Sequence, residues 1–182
     1  MSEACEAMLE AMREVVDRHP LLPGLVYRSA YDFVLEHGRE YVGHWEGRYP
    51  IGVQKMCYGN AINLAGRHSL RYIEGFALAP TGEIILHAWN ATETGDLVDS
   101  SWANTGLAYF GVEFSVERGD DATWNGDAHV LNDEYRGYPI FQKRWTGEDY
   151  SLEWPESDRL DALRNGHTKL PASMNEWLKE KV

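Results

Sequence analysis

Only two cysteines, Cys5 and Cys57, stand in the 182-residue chain. So few carry no disulfide framework, and a reducing cytoplasm is the expected compartment. Basic charge is scarce too: 17 Lys and Arg face 29 Asp and Glu, for a formal net charge of -12 and a pI near 4.9. No Lys/Arg run occurs. Binding to phosphate backbones relies on such clusters, so nucleic acid is not expected as a direct partner. The acidity reads as a solvated surface. Nothing approaches the roughly 18 consecutive apolar residues of a membrane span, so no membrane partner is expected. The opening residues, MSEACEAMLEAMREVV, place Glu3, Glu6, Glu10 and Glu14 where a signal peptide needs basic residues and an unbroken apolar stretch. Internal repeats and low-complexity segments are missing as well, and no domain boundary shows. Residues 1–182 are expected to form a single domain.

What is present argues for an ordered core. The chain is 43% hydrophobic and 12% aromatic, with seven Trp and ten Tyr, which is incompatible with disorder over most of its length. Residues 2–18 carry Ala4, Met8, Ala11, Met12 and Val15 at helical spacing behind a capping Ser2, and His19-Pro20 ends that helix. A short helix is expected from Ser29 to Gly38, with Phe33 and Val34 inward. Residues 39–53, with three Gly and one Pro among aromatics, read as an ordered loop. Met56 to Arg67 is the third helix; Cys57, Ala61, Leu64 and His68 share one of its faces. Four strands follow: Leu70 to Ala79, Glu83 to Asn90, Leu97 to Trp102 and Leu107 to Val116. Turns at Pro80-Thr81-Gly82 and Thr94-Gly95 separate the first three. The pattern is an antiparallel meander behind a helix, hence an α+β fold. Residues 117–138 suit either a long loop or a short helix, held by Trp124, Tyr135 and Tyr138. Two last helices are expected at Ser157–Asn165 and Ser173–Lys181, the second opened by the capping box Ser173-x-x-Glu176.

Three residues of awkward chemistry fall in this central stretch. A free thiol, with a pKa of about 8.5, is only a few per cent thiolate at neutral pH, so a nucleophilic cysteine needs help. The start of a helix and a neighbouring imidazole would both supply it to Cys57. A small buried hydrophobe is the ordinary fate of such a cysteine. His87 lies inside Ile84-Ile85-Leu86-His87-Ala88-Trp89, where an imidazole needs a hydrogen-bond partner. Asp99 follows Leu97-Val98, where an unpaired carboxylate is costly. A hairpin loop with an odd number of residues around Glu93 sets His87 directly opposite Asp99; an even loop breaks that register. Both side chains then project from one sheet face towards the helix bearing Cys57. A metal site from Cys57, His68, His87 and Asp99 lacks any short-spaced ligand pair, so no metal is expected, nor any cofactor. Asn60 reads as helix packing.

The blocks Cys57-Tyr58-Gly59-Asn60-Ala61, Tyr72-Ile73-Glu74-Gly75-Phe76-Ala77, His87-Ala88-Trp89-Asn90 and Val98-Asp99-Ser100-Ser101-Trp102 carry a resemblance. In order and compact spacing they resemble the transglutaminase-like branch of the papain-like cysteine-enzyme superfamily. They are also similar to small bacterial and phage proteins with Cys, Tyr-x-Glu-Gly and His-Ala-Trp blocks. The resemblance covers about residues 52–115, roughly a third of the chain. It implies a papain-like core in which a central helix carrying the cysteine packs on an antiparallel sheet carrying the histidine and aspartate. It further implies that Cys57 is the nucleophile, His87 the general base and acid, and Asp99 the residue that orients its ring. The oxyanion hole would combine the Cys57 backbone N–H with a side-chain donor just upstream, for which Gln54 is the candidate. Papain-like enzymes place that glutamine further ahead of the cysteine, and Gln54 is equally readable as a polar turn residue.

Glu74, Trp89 and Trp102 are candidates for lining the substrate site, against readings as a solvated strand glutamate and two core aromatics. The expected activity is thiol-dependent hydrolysis of an amide or peptide bond, with a protein or peptide substrate. Transglutaminase-type acyl transfer is one alternative. A non-catalytic protein that binds and modulates a host partner is another. Acyl transfer of the arylamine N-acetyltransferase kind ranks last.

Overall fold

Local capping chemistry starts the first two helices where the spacing places them. In the computed structural model, which describes residues 1–43, 49–102, 105–123, 129–133 and 138–147, α1 spans Glu3–Arg18. Its first turn is closed by the Cys5 N–H donating to Ser2 Oγ at 3.2 Å. The chain leaves the helix at an extended His19, ahead of Pro20. Helix α2 (Ala30–His37) begins in the same way at Ser29 and stops at Gly38. Helix α3 is Cys57–His68, and Ser69 terminates it in the left-handed region at φ 52°. Residues 117–138, readable as loop or helix, open with α4 (Val116–Thr123), and short 3-10 turns follow at Val130–Asn132 and Pro139–Phe141. The expected helices at 157–165 and 173–181 lie outside the described residues, as do Trp124 and Tyr135.

Five strands form one antiparallel sheet: β1 (Arg39–Glu40), β2 (Arg71–Leu78), β3 (Ile84–Ala91), β4 (Leu97–Val98) and β5 (Ala108–Phe114). Their order is β1-β5-β2-β3-β4. The sheet is therefore not a simple meander. β2, β3 and β4 follow one another, but β5 returns to the far side of β2, pairing Tyr72 with Phe114 through Leu78 with Ala108. The cause lies in β2, which is buried along nearly its whole length and so requires hydrogen-bonded neighbours on both sides. β4, reduced to two residues, offers too little edge to continue from. β1 falls within the stretch read as loop; two residues are too few to show an alternation.

Alternation along the strands gives the sheet two faces. Tyr72, Phe76, Ala88, Phe110 and Val112 pack with Met8 and Met12 of α1, Phe33 of α2 and Ala61 and Ala65 of α3. Ile73, Ala77, Trp89, Ala91 and Tyr109 form a second cluster with Tyr41 and Leu97 on the other face. There Gly75 and Gly111, paired across β2 and β5, make room for the Trp89 ring. A Cβ would come within 2.9 Å of Trp89 Cη2 at Gly75 and within 2.7 Å at Gly111. Among the described residues no helix is long and apolar enough to cross a membrane.

Candidate active site

Cys57 is the first residue of α3, where the helix's leading N–H groups have no intrahelical acceptors and favour negative charge. The segment before it is held by Asn60, one turn on. The Asn60 amide donates to the Val53 carbonyl at 2.7 Å and accepts the Val53 N–H at 3.0 Å. It also reaches Ser101 Oγ at 3.4 Å, while the Gly52 N–H donates to the Ser100 carbonyl at 2.7 Å. The start of α3 is thus stitched to the chain just past β4, which is where Asp99 lies. Lys55, in the left-handed region at φ 65°, makes the turn into the helix.

His87 Nε2 donates to Asp99 Oδ2 at 2.9 Å, and both side chains are 2% exposed. The carboxylate has two further donors: the Tyr109 hydroxyl to Oδ2 at 2.8 Å and the Ser101 N–H to Oδ1 at 2.8 Å. With Nε2 committed to Asp99, Nδ1 is the ring nitrogen that remains, and Cys57 is near enough to His87 to raise its proton affinity. Burial by itself would lower the proton affinity of His87. The hydrogen bond to Asp99, the neighbouring Cys57 and the Asp99 charge together outweigh burial, and the His87 pKa is pushed up to about 9. The Trp102 indole stacks on the imidazole, with ring centres 4.4 Å apart and planes 15° from parallel.

The route by which these residues meet differs from the expected one in two respects. β4 pairs Asn90 with Val98 and Ala91 with Leu97, so the continued register sets Asp99 opposite Trp89 rather than His87. The loop 92–96 is odd-numbered but centred on Thr94, not Glu93. The resulting offset is two residues along the strand, and a period of two keeps both side chains on one face. Nor does the body of α3 lie over His87. Asn90 Nδ2 donates to the Ala61 carbonyl of α3 at 2.8 Å, so the helix covers the face of Ala88 and Asn90, and only its first turn comes to His87.

Glu74 pairs with Ala88 while Gly75 pairs with His87, so its side chain points to the face away from the imidazole. It is fully buried and accepts from the Tyr72 hydroxyl at 2.7 Å and from the Val130 and Leu131 N–H groups at 2.9 Å each. It neither lines an opening nor touches His87; it fastens the Val130–Asn132 turn to the sheet. Burial raises the Glu74 pKa to about 7 against the pull of those donors and of Arg118. Trp89 is core. Trp102 is half-buried and lies against the His87 ring. Gln54 is exposed in the turn ahead of α3. His68, weighed above as a metal ligand, closes the far end of α3 and packs against Tyr49. Among the described residues no group of three or more His, Cys, Asp and Glu is placed to hold a metal ion.

Sequence reasoning missed Tyr109 altogether. Alternation in β5 sets it on the face of Gly111 and Glu113, opposite the apolar Phe110, Val112 and Phe114, and nothing local ties a strand tyrosine to a carboxylate ten residues earlier. Asn60, read as packing, turns out to anchor the approach to Cys57. No family model matches the chain, and neither a curated protein nor a solved structure matches it.

Proposed function

We propose that this protein is a thiol-dependent hydrolase of the papain-like, transglutaminase-like kind, cleaving an amide or peptide bond in a protein or peptide substrate. The observation that carries the reading is the buried His87–Asp99 hydrogen bond with Cys57 at a helix start beside the imidazole. An imidazole so held can take the thiol proton and keep it as imidazolium next to a thiolate. The Cys57 sulfur attacks the carbonyl carbon, and the electron pair moves onto the carbonyl oxygen. As the tetrahedral species collapses, His87 gives its proton to the departing nitrogen and a thioester remains. Water then attacks the thioester, losing a proton to His87. The carboxylic acid leaves and that proton returns to the sulfur.

The Cys57 N–H and Gln54 are the proposed donors to the carbonyl oxygen. Hydrolysis is preferred to amine transfer because nothing in the sequence marks a second acyl-acceptor site. A free nucleophilic thiol suits a reducing compartment such as the cytoplasm.

The test is the rate of iodoacetamide alkylation of Cys57 between pH 5 and 9, read by mass spectrometry, in wild type and His87→Ala. Cys5 cannot serve as the internal reference in the folded protein. It is 0% exposed, and burial followed by the Glu40 charge raises its pKa to about 11. The unfolded chain, in which both thiols react freely, is the reference. Wild-type Cys57 should react well below pH 7, and His87→Ala should lower the rate at pH 6 by at least about tenfold. Equal rates in the two proteins at every pH would refute the assignment.

A further inference from the structure

We infer that Tyr109 is a positioning residue of this site, one that holds the Asp99 carboxylate and limits how tightly it grips the proton on His87. The inference rests on the proposed Cys57–His87–Asp99 reading and adds a fourth member to it.

The hydrogen-bond directions are set by elementary donor counts. The Gly106 N–H donates to the Tyr109 oxygen at 2.8 Å, so the single hydroxyl hydrogen is free to go elsewhere. The oxygen it meets, Asp99 Oδ2 at 2.8 Å, belongs to a carboxylate that can only accept. That same Oδ2 takes the His87 Nε2 hydrogen. Two donors therefore share one carboxylate oxygen, while the Ser101 N–H on Oδ1 stops the group from rotating. The Tyr109 ring is itself fixed, 1% exposed and set edge-on to Trp89 with ring centres 5.2 Å apart. Gly106 permits the close approach, since a Cβ there would meet Trp102 at 2.8 Å and the Tyr109 ring at 3.1 Å.

This arrangement has a chemical consequence. A buried carboxylate with His87 as the only donor on Oδ2 would concentrate its charge on that proton. A residue that must give its proton to a leaving nitrogen is a poor acid when the proton is held too firmly. The Tyr109 hydroxyl draws off part of that charge and fixes the direction in which the rest acts. The titratable groups that meet the His87–Asp99 pair among the described residues are Cys57 from α3 and Tyr109 from β5. Tyr109 stays neutral throughout the working range, because burial, and then the neighbouring Asp99 charge, raise its pKa far above the ordinary tyrosine value.

The test is Tyr109→Phe, which keeps the ring and removes the hydroxyl, with His87 titrated through its imidazole NMR signals. The His87 pKa should rise by about half a pH unit or more, and the alkaline limb of the Cys57 alkylation profile should move up with it. Site-specific 3-fluorotyrosine at position 109, a stronger donor on an unchanged frame, should shift both in the opposite direction. That second variant decides the matter if Tyr109→Phe folds poorly. A lower melting temperature with the His87 titration and alkylation profile unmoved would overturn the inference and leave Tyr109 a packing residue. His87→Ala run in parallel separates the two claims. If it leaves Cys57 alkylation unchanged, the nucleophile assignment fails, while the His87 titration still reports on Tyr109.

Discussion

Asp99 is the side chain on which the site turns, because it alone joins the imidazole, the Tyr109 hydroxyl and the Ser101 backbone. Asp99→Asn retains the shape but removes the charge that opposes the burial of His87. The His87 pKa should fall from about 9 towards or below its ordinary 6.5. The same variant should slow Cys57 alkylation at pH 6 by about tenfold or more, read by the same mass-spectrometric assay. A second single-residue effect concerns space rather than charge. In Gly111→Ala the new methyl group would sit 2.6 Å from the Glu74 carbonyl oxygen and 2.7 Å from Trp89. Backbone cannot yield as a flexible side chain does. A loss of roughly 1–3 kcal/mol in urea unfolding is expected.

Helix α3 shows how one element is placed by contacts outside itself. Its first turn has no side-chain cap, since Met56 occupies that position. Asn60 supplies the missing order from within the helix by binding Val53 and Ser101. Asn60→Ala should therefore cost roughly 1–3 kcal/mol of stability and speed hydrogen exchange at the Val53 amide. It should also slow Cys57 alkylation, because the thiol loses its fixed approach to His87. An unchanged Val53 exchange rate would show that the loop is held by other means. Much of this element was legible beforehand: its start at Cys57 lies one residue from the expected Met56, and of the expected face Ala61 and Leu64 are buried, although His68 is exposed. Its neighbours were less so. Asn90, given no role of its own in the sequence, connects α3 to β2 through the Ala61 and Arg71 carbonyls.

For the whole molecule, the buried ionisable groups impose a pH dependence whose sign can be worked out. Glu74 is raised from 4.5 to about 7, so its stabilising protonation is fully present below 4.5 and lost as pH rises through about 7. His87 is raised from 6.5 to about 9, so its contribution is present below 6.5 and lost as pH rises through about 9. Both act in one direction. His37, lowered chiefly by burial, works against them, so variants are more telling than wild type alone. The unfolding free energy in urea should fall between pH 5 and 9 by roughly 1–3 kcal/mol. Glu74→Gln should flatten the lower half of that fall, and His87→Ala the upper half. A wild-type curve that rises across this range would contradict the assignment of both groups.

The amino-acid sequence alone determined the elements whose cause is local. Ser2 and Ser29 begin helices because a hydroxyl satisfies an N–H three residues on, and Pro20 and Gly38 help to end them. The runs of β2 and β3 and the turn between them follow from alternation and from Gly82, which takes a φ of 87°. His87 and Asp99 stood out because an imidazole and a carboxylate in apolar surroundings each demand a partner, and Cys57 because it opens a helix. Tertiary structure decided the rest. No local pattern says that β5 passes β4 to pair with β2, since that choice depends on which strand must be buried on both sides. Alternation placed Glu74 with Tyr72, Phe76 and Leu78, but which face the helices would cover was settled only by packing. The hydroxyl of Tyr109 reaches Asp99 for the same reason. A hydrogen bond between residues on different elements exists only once the sheet has closed around it.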